Sequence, residues 1–84
     1  MDIIKGHRIE IINNKWLRII DGRISERITI RISSICYLFP LKIGSDDIKF
    51  HLNSIRDITI DYHNKPKEYL NDDFALLENI LLNS

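Results

Sequence analysis

From Arg27 to Ile32 the side chains alternate without a break, Ile28, Ile30 and Ile32 on one parity against Arg27, Thr29 and Arg31 on the other. Successive side chains of a strand point to opposite faces, so this stretch reads as a strand with one apolar and one wet face. The pattern extends backwards through two turn signals, Asn13-Asn14 and Asp21-Gly22, the second a strong two-residue hairpin signal because both positions tolerate positive φ. They delimit strands at about Arg8 to Ile12, Trp16 to Ile20 and Arg23 to Ile32, a three-strand meander.

Ser33-Ser34 interrupts the alternation, because Ile32 and Ile35 are an odd number of residues apart and share a face only across a bulge or bend. Ile35 to Ile43 reads as an apolar strand whose Pro40 suits an edge or a kink. After the Gly44 to Asp47 turn, Ile48, Phe50 and Leu52 alternate with Lys49, His51 and Asn53. Ile58, Ile60 and Tyr62 alternate likewise with Thr59, Asp61 and His63. Pro66 ends the sheet, since it lacks an amide donor and restricts its predecessor.

Beyond this point the period becomes helical. Asn71 or Asp72 is placed to cap, Asp72 and Asp73 oppose the positive end of the helix dipole, and Phe74, Leu77 and Leu81 fall at i, i+3 and i+7. Leu70 precedes the cap as a hydrophobic staple. The expected fold is α+β: an antiparallel β-sheet of five to six strands packed by one C-terminal α-helix. It forms a single small domain over residues 1–84, with the sheet at about 8–62 and the helix at about 71–82.

Composition agrees with this size and class. The chain has 84 residues, 44% hydrophobic and 29% charged, ordinary globular proportions for one core. Eighteen residues are isoleucine, which favours strands and is the bias of an AT-rich coding sequence, pointing to a low-GC bacterium, an archaeon or a virus. The lone Cys36 excludes an internal disulfide, and with no signal-peptide pattern the expected location is the cytoplasm, that of the host cell if the source is viral. No apolar run approaches a membrane span.

Net charge is formally zero, yet residues 1–35 hold seven basic and four acidic side chains and residues 36–84 hold five and eight. Such asymmetry suggests an anionic partner for one half or pairing between halves. Across the Asp21-Gly22 hairpin, Ile20 is expected opposite Arg23, Arg18 opposite Ser25 and Trp16 opposite Arg27, all on one side. A three-residue Asn13-Asn14-Lys15 loop puts Ile9 and Ile11 in the core. The wet face then carries Arg8, Arg18, Arg23, Arg27 and Arg31, five of the six arginines, around Trp16, with Glu10, Ser25 and Thr29.

Arginine forks bind phosphate bidentately, and Trp16 can stack on a base or lie under Arg27 in a cation–π contact. The leading expectation is therefore a non-enzymatic binding module whose Arg-rich face holds a polyanion, nucleic acid or a nucleotide signal. Neutral net charge argues against indiscriminate DNA binding. Against it stands a merely solvated face, paired with Glu10 or with an Asp57, Asp61 ladder on a later strand. The alternative function is a protein-interaction or inhibitor module, dimeric through basic-to-acidic pairing or docked by an unpaired strand edge.

Chemistry of other kinds lacks support. His7, His51 and His63 show no metal-ligand spacing, Cys36 reads as a small buried thiol, and Asp57 and Asp61 lie ~14 Å apart on a strand, too far to share one bond. No Gly-rich phosphate loop is present. No cofactor or metal is expected. An enzyme built from His51, Asp61 and His63 is the least supported reading. Strands followed by one C-terminal helix resemble, in layout alone, the bacterial pleckstrin-homology-like domains, and the style of a small motif-free chain is similar to phage and mobile-element accessory proteins that block host defences. Neither resemblance transfers a residue.

Overall fold

The computed structural model describes residues 2–21, 26–53, 56–63 and 65–83. Its elements are β1 (Asp2–Ile12), β2 (Trp16–Asp21), β3 (Glu26–Arg31), a 3-10 turn (Ile32–Ser34), β4 (Ile35–Leu38), β5 (Asp47–Leu52), β6 (Asp57–Asp61) and α1 (Lys67–Leu82). The fold is α+β, as expected, but the strands do not make one antiparallel sheet. Two three-stranded antiparallel units, β1-β2-β3 and β4-β5-β6, are joined through β1 in the order β3-β2-β1-β6-β5-β4.

The joint is a parallel pairing of Asp2 through Lys5 with Ile58 through Asp61. β1 is long enough to serve both units because its register slips between Gly6 and Ile9: its first half pairs with β6, its second half with β2. Glycine without Cβ accommodates such an irregularity at low steric cost. The expectation that the sheet starts near Arg8 missed this first half, since Asp2 to His7 shows no alternation to read.

Local chemistry explains the remaining boundaries. Asn13 and Asn14 adopt φ of 54° and 56°, the left-handed region that asparagine tolerates, and the Lys15 amide donates to the Ile12 carbonyl at 3.0 Å. Ile12 then stands opposite Trp16, so the three-residue loop is the one formed. The bend expected at Ser33-Ser34 is the 3-10 turn, and β4 stops at Leu38, ahead of Pro40.

The helix begins four residues earlier than its capping signals suggest. Pro66 stands at its N-terminus with φ −57°, preset for helix, and its missing donor costs nothing there. Asn71 and Asp72 therefore lie inside the helix, and Glu68 is the acidic residue of the first turn. The buried stripe is Leu70, Asp73 and Leu77, at i, i+3 and i+7, with Phe74 and Leu81 partly buried beside it. It packs on a core of Ile9, Leu17, Ile19, Ile48, Phe50 and Ile60. Among the described residues no helix is long and apolar enough to cross a membrane.

Candidate functional site

The wet face of the β1-β2-β3 unit is a grid fixed by strand register. Its rows are Ile12, Trp16 and Arg31, then Glu10, Arg18 and Thr29, then Ile20 and Arg27. Trp16 faces Arg31, not Arg27, because the β2–β3 pairing is displaced by four residues from the expected one. An even displacement keeps every side chain on its face and changes only its neighbour. Leu17, Ile19, Ile28 and Ile30 accordingly point inward as expected.

The arginines separate by environment. Arg31 is exposed and lays its guanidinium over the Trp16 ring, 4.9 Å from the centroid. Arg27 is exposed opposite Ile20. Arg18 is half-buried beside Glu10, at 3.6 Å. Arg23 and Ser25 lie outside the described residues. Arg8 leaves the group: past the β1 irregularity its guanidinium lies 3.9 Å from the Tyr69 ring centroid and within 3.7 Å of Asp72 and 4.0 Å of Asp73, all on α1.

The Asp57, Asp61 ladder lies away from Arg27 and Arg31, since β2 and β1 separate β3 from β6. Asp57 is held by its own sheet, 2.5 Å from His51 Nδ1 and 3.7 Å from Lys49 Nζ. The His51 hydrogen bond, with the Lys49 ammonium nearby, keeps the Asp57 carboxyl below the usual carboxylate range. Asp61 accepts a 2.9 Å hydrogen bond from the His63 backbone amide and the His63 ring lies 3.5 Å from Asp46, whereas His51 stands opposite Asp57, four residues along β6 from Asp61, and does not join them. Cys36 is exposed, contrary to expectation, at the rim of a groove between β4 and α1. Its neighbour Ile35 takes the buried position, so alternation alone turns Cys36 outward, and the register irregularity between Ile35 and Tyr37 turns Tyr37 outward as well.

Where β2 begins and β3 ends, Asn14, Lys15, Trp16, Arg31, Ile32 and Ser33 surround an open cavity of about 620 Å³. The Ile32 amide donates to the Lys15 carbonyl at 2.9 Å, tying its two rims together. The walls are mainly carbon, with one indole and two cations around them. An aromatic plane, apolar walls and fixed positive charge suit a ligand with a flat ring and an anionic group.

A second polar cluster lies under the sheet. Asp73, 2% exposed, accepts hydrogen bonds from the Tyr62 hydroxyl at 2.7 Å and the Ile9 amide at 3.3 Å. Burial raises the Asp73 carboxyl above its ordinary value, against the two donors and Arg8. Burial and the adjacent carboxylate push the Tyr62 phenol far upward. The sequence expectation for Asp73 is only that it faces the positive end of the helix dipole. Its spacing of three and four residues from Leu70 and Leu77 is the signal that places it on the buried stripe.

No family model, curated protein or solved structure matches the chain significantly.

Proposed function

We propose that this domain is a non-enzymatic binding module that takes a nucleotide-like anion in the cavity between Trp16, Arg31 and Lys15. The observation that carries this reading is Arg31 stacked on Trp16 at the mouth of a cavity of about 620 Å³. A base or similar ring has the indole to lie against, and a phosphate has Arg31 for a bidentate contact and Lys15 as a point charge. Arg27 extends the positive potential along β3.

The same geometry favours a single nucleotide over a long polynucleotide track. Arg8 is engaged by α1 and Arg18 by Glu10, so fewer cations remain for successive phosphates than the full set of arginines suggests. The sequence holds one tryptophan, which makes its indole N–H resonance a direct reporter. Titration with AMP, ATP and a short oligonucleotide at two salt concentrations should shift that resonance with mononucleotides, more weakly at high salt, and Arg31→Ala should weaken binding about tenfold, the loss of one charge-assisted contact. An indole signal unmoved by millimolar nucleotide, or moved equally in Arg31→Ala, overturns the reading.

A further inference from the structure

Among the described residues β3 is the outer strand at one end of the sheet order, and the phase of its ladder determines which of its backbone groups β2 leaves unused. In an antiparallel pair, hydrogen-bonded and non-hydrogen-bonded pairs alternate. The Ile32 amide donates to Lys15 at 2.9 Å, and the register runs from there without a break. Ile28 and Ile30 therefore spend their backbone groups on β2, while those of Arg27, Thr29 and Arg31 point away from the sheet. The same three residues carry exposed side chains on the wet face, and Ile28 and Ile30 are half-buried beneath.

A second β3 is a poor occupant for this edge. Antiparallel pairing about a two-fold through Thr29 would set Arg27 of each copy against Arg31 of the other, and like charges directly opposite destabilise a ladder. The favourable complement is a strand with carboxylates where β3 has guanidinia. The chain itself writes that complement: residues 26–31 are Glu-Arg-Ile-Thr-Ile-Arg and residues 56–61 are Arg-Asp-Ile-Thr-Ile-Asp, the same core with every charge inverted. Within the fold this complement is spoken for, because β6 lies between β1 and β5 and has both edges paired.

We infer that the open edge of β3 is a docking site for an extended strand of another protein with the pattern acidic–apolar–any–apolar–acidic. Added antiparallel, such a strand receives the outward amides and carbonyls of Arg27, Thr29 and Arg31. Its two carboxylates stand opposite Arg31 and Arg27, and its two apolar residues extend the sheet face formed by Ile28 and Ile30. Charge selects the partner and backbone bonding holds it. This surface is independent of the nucleotide reading except that both use Arg31.

A synthetic peptide carrying residues 56–62 of this chain, Arg-Asp-Ile-Thr-Ile-Asp-Tyr, serves as the probe. Hydrogen exchange by NMR should show the amides of Arg27, Thr29 and Arg31 exchanging fast in the free protein and protected when the peptide is bound. A peptide with both aspartates replaced by lysine should bind at least about tenfold more weakly, two favourable pairs becoming two repulsive ones. Thr29→Pro removes one outward amide without changing charge and should abolish peptide binding while leaving nucleotide binding intact; Trp16→Leu should do the reverse. The protection pattern tests the idea even if Thr29→Pro fails to fold. Equal binding of the lysine peptide, no protection of the three amides at millimolar peptide, or protection arising from self-association overturns the inference.

Discussion

The hydroxyl of Tyr62 donates a 2.7 Å hydrogen bond to the carboxylate of Asp73, with both side chains nearly sealed from solvent at 3% and 2% exposure. This bond joins the residue just beyond β6 to the buried stripe of α1, and through the Ile9 amide the same carboxylate reaches β1. A single acid thus ties the helix to both sheet units.

Deleting either end of that bond should cost stability in unequal amounts. Asp73→Ala strands the Tyr62 hydroxyl and the Ile9 amide without their acceptor and should cost about 1–3 kcal/mol. Tyr62→Phe leaves the carboxylate two other partners and should cost less. Urea denaturation of the two variants gives the order; equal losses would show that the bond, rather than the stranded donors, carries the effect.

The pH dependence of stability should contain two opposed contributions. Asp73 titrates above its ordinary value in the fold, so its protonated form favours folding, and that contribution is complete below about pH 4 and fades as pH rises through the folded value. Asp57 titrates below its ordinary value, so its contribution is present above about pH 4 and lost on acidification through the folded value. Asp73→Asn should flatten the decline on the alkaline side and Asp57→Asn the decline on the acid side. Thermal unfolding between pH 3 and 7 separates them, and a curve unchanged by either variant counts against both assignments.

Leu77 is fully buried on the inner face of α1. Leu77→Ala should cost about 2–5 kcal/mol, the lost transfer free energy plus the cavity left behind. The exposed Leu76 is its control, and Leu76→Ala should change stability by less than about 0.5 kcal/mol.

Arg8 is bound to the helix rather than to the arginine face, which divides its effects from those of Arg31. Arg8→Ala should lower stability by about 1 kcal/mol through the lost Tyr69 stacking and carboxylate contacts, and leave nucleotide titrations at the Trp16 indole unchanged. A loss of binding with unaltered stability would return Arg8 to the ligand site.

Gly44 adopts φ of +83° with nothing within 4 Å of the place a Cβ would occupy. Gly44→Ala should therefore cost only the backbone term, roughly 1 kcal/mol, readable as a shift of the denaturation midpoint with no change of slope.

Alternation made the two faces of the meander legible, because parity survives any even error in register: Arg27, Thr29 and Arg31 point to solvent whichever residue they oppose. Their neighbours were not legible. The Asp21-Gly22 signal favours a two-residue turn, whereas β2 ends at Asp21 and β3 resumes at Glu26, and this moves Trp16 from Arg27 to Arg31. The pairing of Asp2 with Ile58 joins segments far apart in the chain and leaves no local trace in either. Asp73 was misplaced because a carboxylate near a helix start suits the dipole equally well whether it is exposed or buried. The fold sets that start at Lys67, behind Pro66.

The parallel seam between the two halves of the sheet has a kinetic consequence. Its partners are separated by more than half the sequence, so it closes a far longer loop than any hairpin in the fold, and the entropy of that closure is spent before its few ladder bonds can form. The second half of β1 can zip onto β2 within its own hairpin while the first half waits for β6 to be assembled. Pulse-labelled exchange during refolding should accordingly find the amides of Glu10 and Ile12 protected before those of Ile4 and Gly6, the β1 donors that the register aims at β6. One strand would then record two events in the folding of the molecule.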